Sequence, residues 1–197
     1  MASIGSRKPY IAKYNYDEVT GEITYTECVR FAKSISFELE MESSDDNNLY
    51  ADDGIAESDT SFAGGNATIG IDNLTQEATK MMLGVREEEI TVGDETVKEL
   101  VYDDDMEVPD MGFGQIIPKQ VRGKRYYRAV ILRKIKFNIP NDAAETKGET
   151  IEWQTPELES VVMRDDGTPS QWKREATFEK EENAESYIKE QLGFVSP

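Results

Sequence analysis

Carboxylates are the residues in this sequence with the most chemical potential. Two stretches are dense in oxygen ligands: Asp45-Asp46-Asn47-Asn48, and Asp103-Asp104-Asp105 followed by Glu107. Such clusters can hold Ca2+, but an EF-hand loop needs alternating ligands around a central glycine, and neither stretch has that spacing. They read as loose surface divalent-ion sites at most, and otherwise as solvated loops. Paired carboxylates can run glycoside hydrolysis without histidine. Here the acids are too numerous for a pair to stand out, and they sit on polar segments where burial does not raise their pKa. The chain has no histidine, so Ser-His-Asp and Cys-His chemistry are excluded and the commonest metal ligand is missing. Cys28 is alone. It can form no internal disulfide, it lacks the neighbouring base of a catalytic thiolate, and it reads as a small buried hydrophobe. There is no phosphate-binding G-x-x-x-x-G-K and no G-x-G-x-x-G. Met111-Gly112-Phe113-Gly114 runs into Gln115-Ile116-Ile117 and a proline rather than a helix, and reads as a tight turn or flexible loop. No catalytic residue, metal ligand or cofactor is therefore expected, and the chain is not expected to be an enzyme.

The charge is organised in blocks. Across 197 residues, 40 acids stand against 22 bases, a net charge of −18. Residues 38–59 hold nine acids and no base, and residues 87–110 hold eleven acids against Lys98. Residues 119–136 hold eight bases and no acid: Lys119, Arg122, Lys124, Arg125, Arg128, Arg133, Lys134 and Lys136. Separate acidic and basic blocks can dock copies of a chain head to tail, or they can neutralise each other within one fold. Both readings stay open here. Tyr126 and Tyr127 beside the arginines raise base stacking, but Tyr127 shares the core parity of its strand and the net charge opposes tight DNA binding.

The elements that position these residues come from periodicity. At 33–41, Ile35, Phe37, Leu39 and Met41 alternate with Ser34, Ser36, Glu38 and Glu40, the pattern of a half-buried strand. Residues 67–71 form a short strand, with Gly64-Gly65-Asn66 as a turn that pairs 57–62 back on it. The strongest segment is 126–139, with Tyr127, Ala129, Ile131, Ile135, Phe137 and Ile139 in phase and Arg133 the exception. Residues 150–164 start with Ile151, Trp153 and Thr155 in phase, then slip at Pro156 to Leu158, Ser160 and Val162. Trp172, Ala176 and Phe178 mark a last strand. Residues 10–16 and 22–26 form a hairpin around Val19-Thr20-Gly21. A helix is predicted over 74–83, capped by Asn73 and ended by Gly84, and another over 181–192, followed by Gly193 and packed on the sheet. Residues 42–59 and 87–111 read as long polar loops. The N-terminus is no signal peptide, and no run approaches the ~18 apolar residues of a membrane span. The expectation is a single soluble, mainly antiparallel β domain made in a reducing cytoplasm.

In order and spacing, several pieces resemble the major tail protein, or tail tube protein, family of long-tailed phages and prophages of Gram-positive bacteria. They are Ala32-Lys33-Ser34-Ile35-Ser36, Leu49-Tyr50-Ala51-Asp52-Asp53 with Ala56-Glu57, and Thr68-Ile69-Gly70-Ile71-Asp72-Asn73-Leu74 with the helix ending at Leu83-Gly84. After them come Lys136-Phe137-Asn138-Ile139-Pro140, Thr146-Lys147-Gly148-Glu149 and Gln154-Thr155-Pro156-Glu157-Leu158-Glu159. The resemblance spans nearly the whole chain. It implies a single β-sandwich or barrel domain with one or two flanking helices and long loops. It also implies hexameric rings stacked into the virion tail tube that conducts DNA, with tape measure, tail terminator and distal tail proteins as partners and no membrane. Residues 42–56 are then the leading inter-subunit or inter-ring loop, with Asp45, Asp46, Tyr50, Asp52 and Asp53 as contact residues opposite Arg125 and Arg128. Residues 87–111 are a second candidate loop, and their acidity is the least family-like feature. Ser34, Ser36, Glu38 and Glu40 form the expected lumen-facing stripe, where Ser and Glu would repel passing phosphate. A host-surface or carbohydrate-binding β domain of a phage particle is the competing reading, although Trp153 and Trp172 sit on patterns that look buried.

Overall fold

A computed structural model describes residues 2–3, 5–43, 48–51, 54–58, 61–141 and 155–195. The chain opens with β1 (Ala2–Ser3), β2 (Arg7–Asp17), β3 (Glu22–Arg30) and β4 (Ser34–Ser43). A short pair, β5 (Asn48–Ala51) and β6 (Gly54–Ser58), precedes β7 (Phe62–Ile71) and α1 (Gln76–Leu83). Then come β8 (Arg86–Val92), β9 (Glu95–Val101), β10 (Met111–Val121), β11 (Lys124–Phe137), β12 (Glu157–Met163), β13 (Lys173–Phe178) and α2 (Glu181–Gln191). The fold is mainly β, antiparallel throughout, with two helices, and is compatible with a β-sandwich with flanking helices. Among the described residues, no helix is long and apolar enough to cross a membrane.

The principal sheet runs β3-β2-β10-β11-β12-β7-β4. Its pivot is β11. The first half of β11 pairs with β13, from Tyr127 opposite Phe178 to Leu132 opposite Lys173, and its end pairs with β12, from Lys134 opposite Met163 to Phe137 opposite Ser160. One strand therefore serves two layers, and the main core lies between them. Ile11, Met111, Phe113, Val130 and Leu132 come from one layer. Ala67, Ile69, Ile71, Leu158 and Val162 come from the other, and Met82 and Leu83 of α1 close the cluster. The opposite face of the first layer carries a second core of Tyr10, Ala12, Cys28, Ile116, Ala129 and Ile131 under Ala184, Ile188 and Leu192 of α2 and its C-cap. Burial of a Leu or Ile side chain is worth about 1.5–3 kcal/mol, so the last two residues fasten much of that helix.

Several local expectations are corrected. The cap of α1 is Thr75 rather than Asn73: the Ala78 N–H donates to Thr75 Oγ1 at 3.2 Å, and Gly84 ends the helix at φ 67°. Residues 111–114 are no turn but the buried start of β10. A Cβ on Gly112 would lie 2.5 Å from Tyr25 and 2.9 Å from Leu192, and one on Gly114 would lie 2.5 Å from Ile188. The glycines are there so that α2 can lie close on the strand. Gly64-Gly65-Asn66 also belongs to a strand, the middle of β7, where Gly65 pairs with Met41 and Val162. Residues 42–59 and 87–111 are not open loops throughout, because each holds a two-stranded hairpin, β5–β6 and β8–β9. Ile139 lies beyond the end of β11 and is 59% exposed. Ile151 and Trp153 lie outside the described residues.

The break in phase at Arg133 has a clear cause. The side chain is buried against Asp165, with Nε donating to Oδ2 at 2.9 Å. The other Asp165 oxygen accepts from the Gln171 and Gly167 N–H groups at 2.6 and 3.3 Å. The Arg133 guanidinium also lies over the Tyr25 ring, whose hydroxyl donates to the Arg133 carbonyl at 2.7 Å. A buried charge needs such a set of partners.

Candidate assembly surfaces

Cross-strand register places the residues of the predicted polar stripe. Ser36, Glu38, Glu40 and Glu42 on β4 face Gly70, Thr68, Asn66 and Gly64 on β7. Beyond β7, Glu157 is opposite Gly70, Glu159 opposite Thr68 and Val161 opposite Asn66, and Lys136 follows Val161 on β11. These residues share the outer face of one layer, because direct antiparallel partners point the same way. Glu38, Glu40, Glu42, Glu157 and Glu159 are exposed, and the residues between them are small. With strands ~4.8 Å apart, the row Glu38-Thr68-Glu159 sets two carboxylates about 10 Å from each other across a low floor. Glu42, Glu157 and Glu159 were missed from sequence as members of this surface. The alternation of 157–163 was legible, but its place beside β7 depends on register between distant segments.

Ser34 leaves the stripe. A bulge between Ser34 and Ser36 on β4 reverses its direction. Its hydroxyl meets Ser6 Oγ and accepts from Gln115 Nε2 at 3.2 Å. Gln115 is fully buried, and its Oε1 has no hydrogen-bond partner among the described residues. Ile35, the displaced residue, is 52% exposed instead of lying in the core.

Both ends of the principal sheet are open among the described residues: β3 pairs only with β2, and β4 only with β7. Each edge is irregular. β4 carries two register shifts, and Glu27 on β3 has φ 55° beside a shift in its pairing with β2. Bulges and charged side chains are the usual devices that keep an open edge from pairing indiscriminately.

The basic segment divides. Lys124 pairs with Glu179 at 2.5 Å, Arg128 with Glu175 at 3.7 Å, Arg133 with Asp165, and Lys134 with Asp166 and Asp110 at 2.7 and 3.3 Å. Half of its eight bases thus neutralise acids of their own fold. Arg125 and Arg128, expected to act together, lie on opposite faces of β11 because three residues along a strand reverse the side. Arg125 is exposed. Arg128 faces the inner side with Lys119, its Nε buried without an acceptor among the described residues. Of the expected loop contacts, Asp45, Asp46, Asp52 and Asp53 lie outside the described residues, and Tyr50 lies in β5, opposite Ile55.

The β8–β9 hairpin is the second acidic surface. Its base is tied by Glu87, which meets Lys98 at 3.1 Å and Lys80 at 3.4 Å, and by Leu100 against the main core. Further out, Glu88 lies directly opposite Glu99, and Ile90 opposite Val97. Among the described residues, no group of three or more Cys, Asp or Glu side chains is placed to hold a metal ion. The burial of Cys28 pushes its thiol up to about 11 against a weaker opposing effect of Lys189, so the thiolate is scarce at neutral pH. No protein-family model matches the chain, and no curated protein matches it in sequence.

Proposed function

We propose that this chain is a non-enzymatic structural subunit that associates with copies of itself into stacked hexameric rings, forming the tail tube of a phage virion through which DNA passes. The observation that carries the reading is the outer face of β4, β7 and β12, an acidic, low-relief surface that ends at the open edge of β4. Duplex DNA carries a negative charge about every 1.7 Å along its axis. A wall bearing Glu38, Glu40, Glu42, Glu157 and Glu159 repels that charge, and its Thr, Asn and Gly floor offers little to grip. The open β3 edge lies at the other end of the same strand order. The β4 edge of one copy can therefore lie beside the β3 edge of the next and extend the acidic face around a ring. Tape measure, terminator and distal tail proteins are the partners this role requires.

Electron microscopy of concentrated protein tests the reading. Hollow tubes or six-fold rings, with the outer face of β4–β7–β12 towards the lumen, uphold it. Assemblies with that face on the outer wall overturn the lumen assignment, and a chain that remains monomeric at every concentration and salt overturns the tube.

A further inference from the structure

The acidic hairpin and the basic end of the sheet lie at opposite ends of the domain. The hairpin leads through residues 102–110 into Met111, the first residue of β10, and Val121 ends that strand. Ten steps at about 3.3 Å separate the two, roughly 30 Å. Among the described residues, no ion pair joins the hairpin acids to the cations at that far end.

Each surface sets charges of one dominant sign beside apolar side chains. On one face of the hairpin lie Arg86, Glu88, Ile90 and Val92, beside Val101, Glu99, Val97 and Glu95. Ile90, Val92 and Val97 are 38%, 66% and 41% exposed. Glu88 and Glu99 face each other, an arrangement that destabilises an isolated strand pair, and among the described residues Arg86, 3.1 Å from Glu88, is the cation that relieves it. A two-stranded hairpin has little stability of its own, and further cations and apolar cover on this face would steady it.

The far end of the sheet supplies both. There the inner face of β10–β11 carries Lys119, Val121, Lys124, Tyr126 and Arg128, continued on β13 by Lys173 and Glu175. Burial and the neighbouring Arg128 guanidinium hold the Lys119 ammonium below its ordinary pKa, with Lys173 adding to the effect and Glu175 opposing it. Among the described residues, the ion pairs of the four cations Lys119, Lys124, Arg128 and Lys173 are made to Glu175 and Glu179.

We infer that the β8–β9 hairpin of one copy docks on the Lys119–Tyr126–Arg128 ledge of a second copy, giving an end-to-end contact distinct from the edge-to-edge one. Glu88, Glu95 and Glu99 meet the ledge cations, and Ile90, Val92 and Val97 cover Val121 and Tyr126. The contact is heterologous, so it propagates into a stack rather than closing as a dimer. It rests on the self-association proposed above.

Complementary charge reversal tests it. One variant is Glu88→Lys with Glu99→Lys on the exposed hairpin, and the other is Lys119→Glu with Arg128→Glu on the ledge. Sedimentation velocity at low salt measures association, and circular dichroism confirms that each variant is folded. Each variant alone is expected to self-associate roughly tenfold more weakly than the wild type, and an equimolar mixture is expected to recover association. If the ledge variant fails to fold, the hairpin variant alone decides. Rings or tubes that form equally well from the reversed variants overturn this contact and leave the tube reading standing. Salt-sensitive end-to-end chains that never close into rings uphold it and overturn the tube reading. A wild type that stays monomeric overturns both.

Discussion

Replacing Glu185 by Gln should loosen α2 in a manner that depends on pH. Glu185 sits where the helix crosses β2. Lys8 Nζ lies 2.5 Å from one carboxylate oxygen, and the Tyr10 hydroxyl and Lys189 Nζ lie 2.6 and 3.0 Å from the other. Burial alone would raise its pKa, but these donors, Lys8 foremost, outweigh burial and lower it from 4.5 to about 2. A carboxyl held at about 2 instead of 4.5 prefers its ionised form in the folded state by about 3 kcal/mol. The side chain is 19% exposed, and screening by that solvent reduces the contribution to about 1–2 kcal/mol. Because the folded-state pKa is depressed, this stability is fully present above 4.5 and is lost as pH falls towards 2. Urea unfolding of wild type and Glu185→Gln, followed across that range, reads the difference directly, since every other carboxylate is common to both proteins. The variant should be about 1–2 kcal/mol less stable at neutral pH, and the two should converge near pH 2. A difference that stays constant with pH would refute the assignment of the effect to ionised Glu185.

Other expectations follow from single features. Asp165→Asn should cost about 3–5 kcal/mol in urea unfolding, because it leaves the buried Arg133 guanidinium without its counter-charge. Unchanged stability would mean that the pair contributes nothing. Gly114→Ala should destabilise by about 1–3 kcal/mol, since the added methyl would meet Ile188 of α2, with the loss seen as a lowered Tm. Cys28 should resist thiol reagents at neutral pH in the folded protein and react on unfolding, as its buried position and raised pKa require. Fast labelling of native protein would contradict this.

What was legible in the chain followed period. The alternation of β11 and β12, the 3.6-residue spacing of Ala184, Ile188 and Leu192, and the turn at Val19-Thr20-Gly21 each depend on local order, and each element is present. Several of the misreadings share one cause, which is that partners far along the chain set the local meaning. Gly112 and Gly114 resemble a turn until α2 is seen lying on them. Ser34 keeps phase with Ser36 in sequence, yet a bulge turns it towards Gln115. At 87–110, Ile90 and Val92 alternate before Gly93-Asp94 and Val97 and Val101 after it, but the density of acids hid that pattern, and the hairpin stands clear of the core for most of its length. For the acidic face, Ser36, Glu38 and Glu40 could be read from β4 alone. Glu157 and Glu159 required knowledge of which strand lies beside β7.

The two glycines under α2 also bear on the order in which the domain can be completed. The face they belong to, with Tyr10, Ala12, Ile116, Ala129 and Ile131, is assembled from β2, β10 and β11 and has α2 as its cover. All three strands precede α2 in the chain. During synthesis the sheet can therefore form while one apolar side is still bare, and that exposed stage is the one most prone to aggregation. Docking the helix ends it in a single step, so anything that props α2 away, such as a methyl at Gly114, lengthens the vulnerable interval as well as weakening the finished fold.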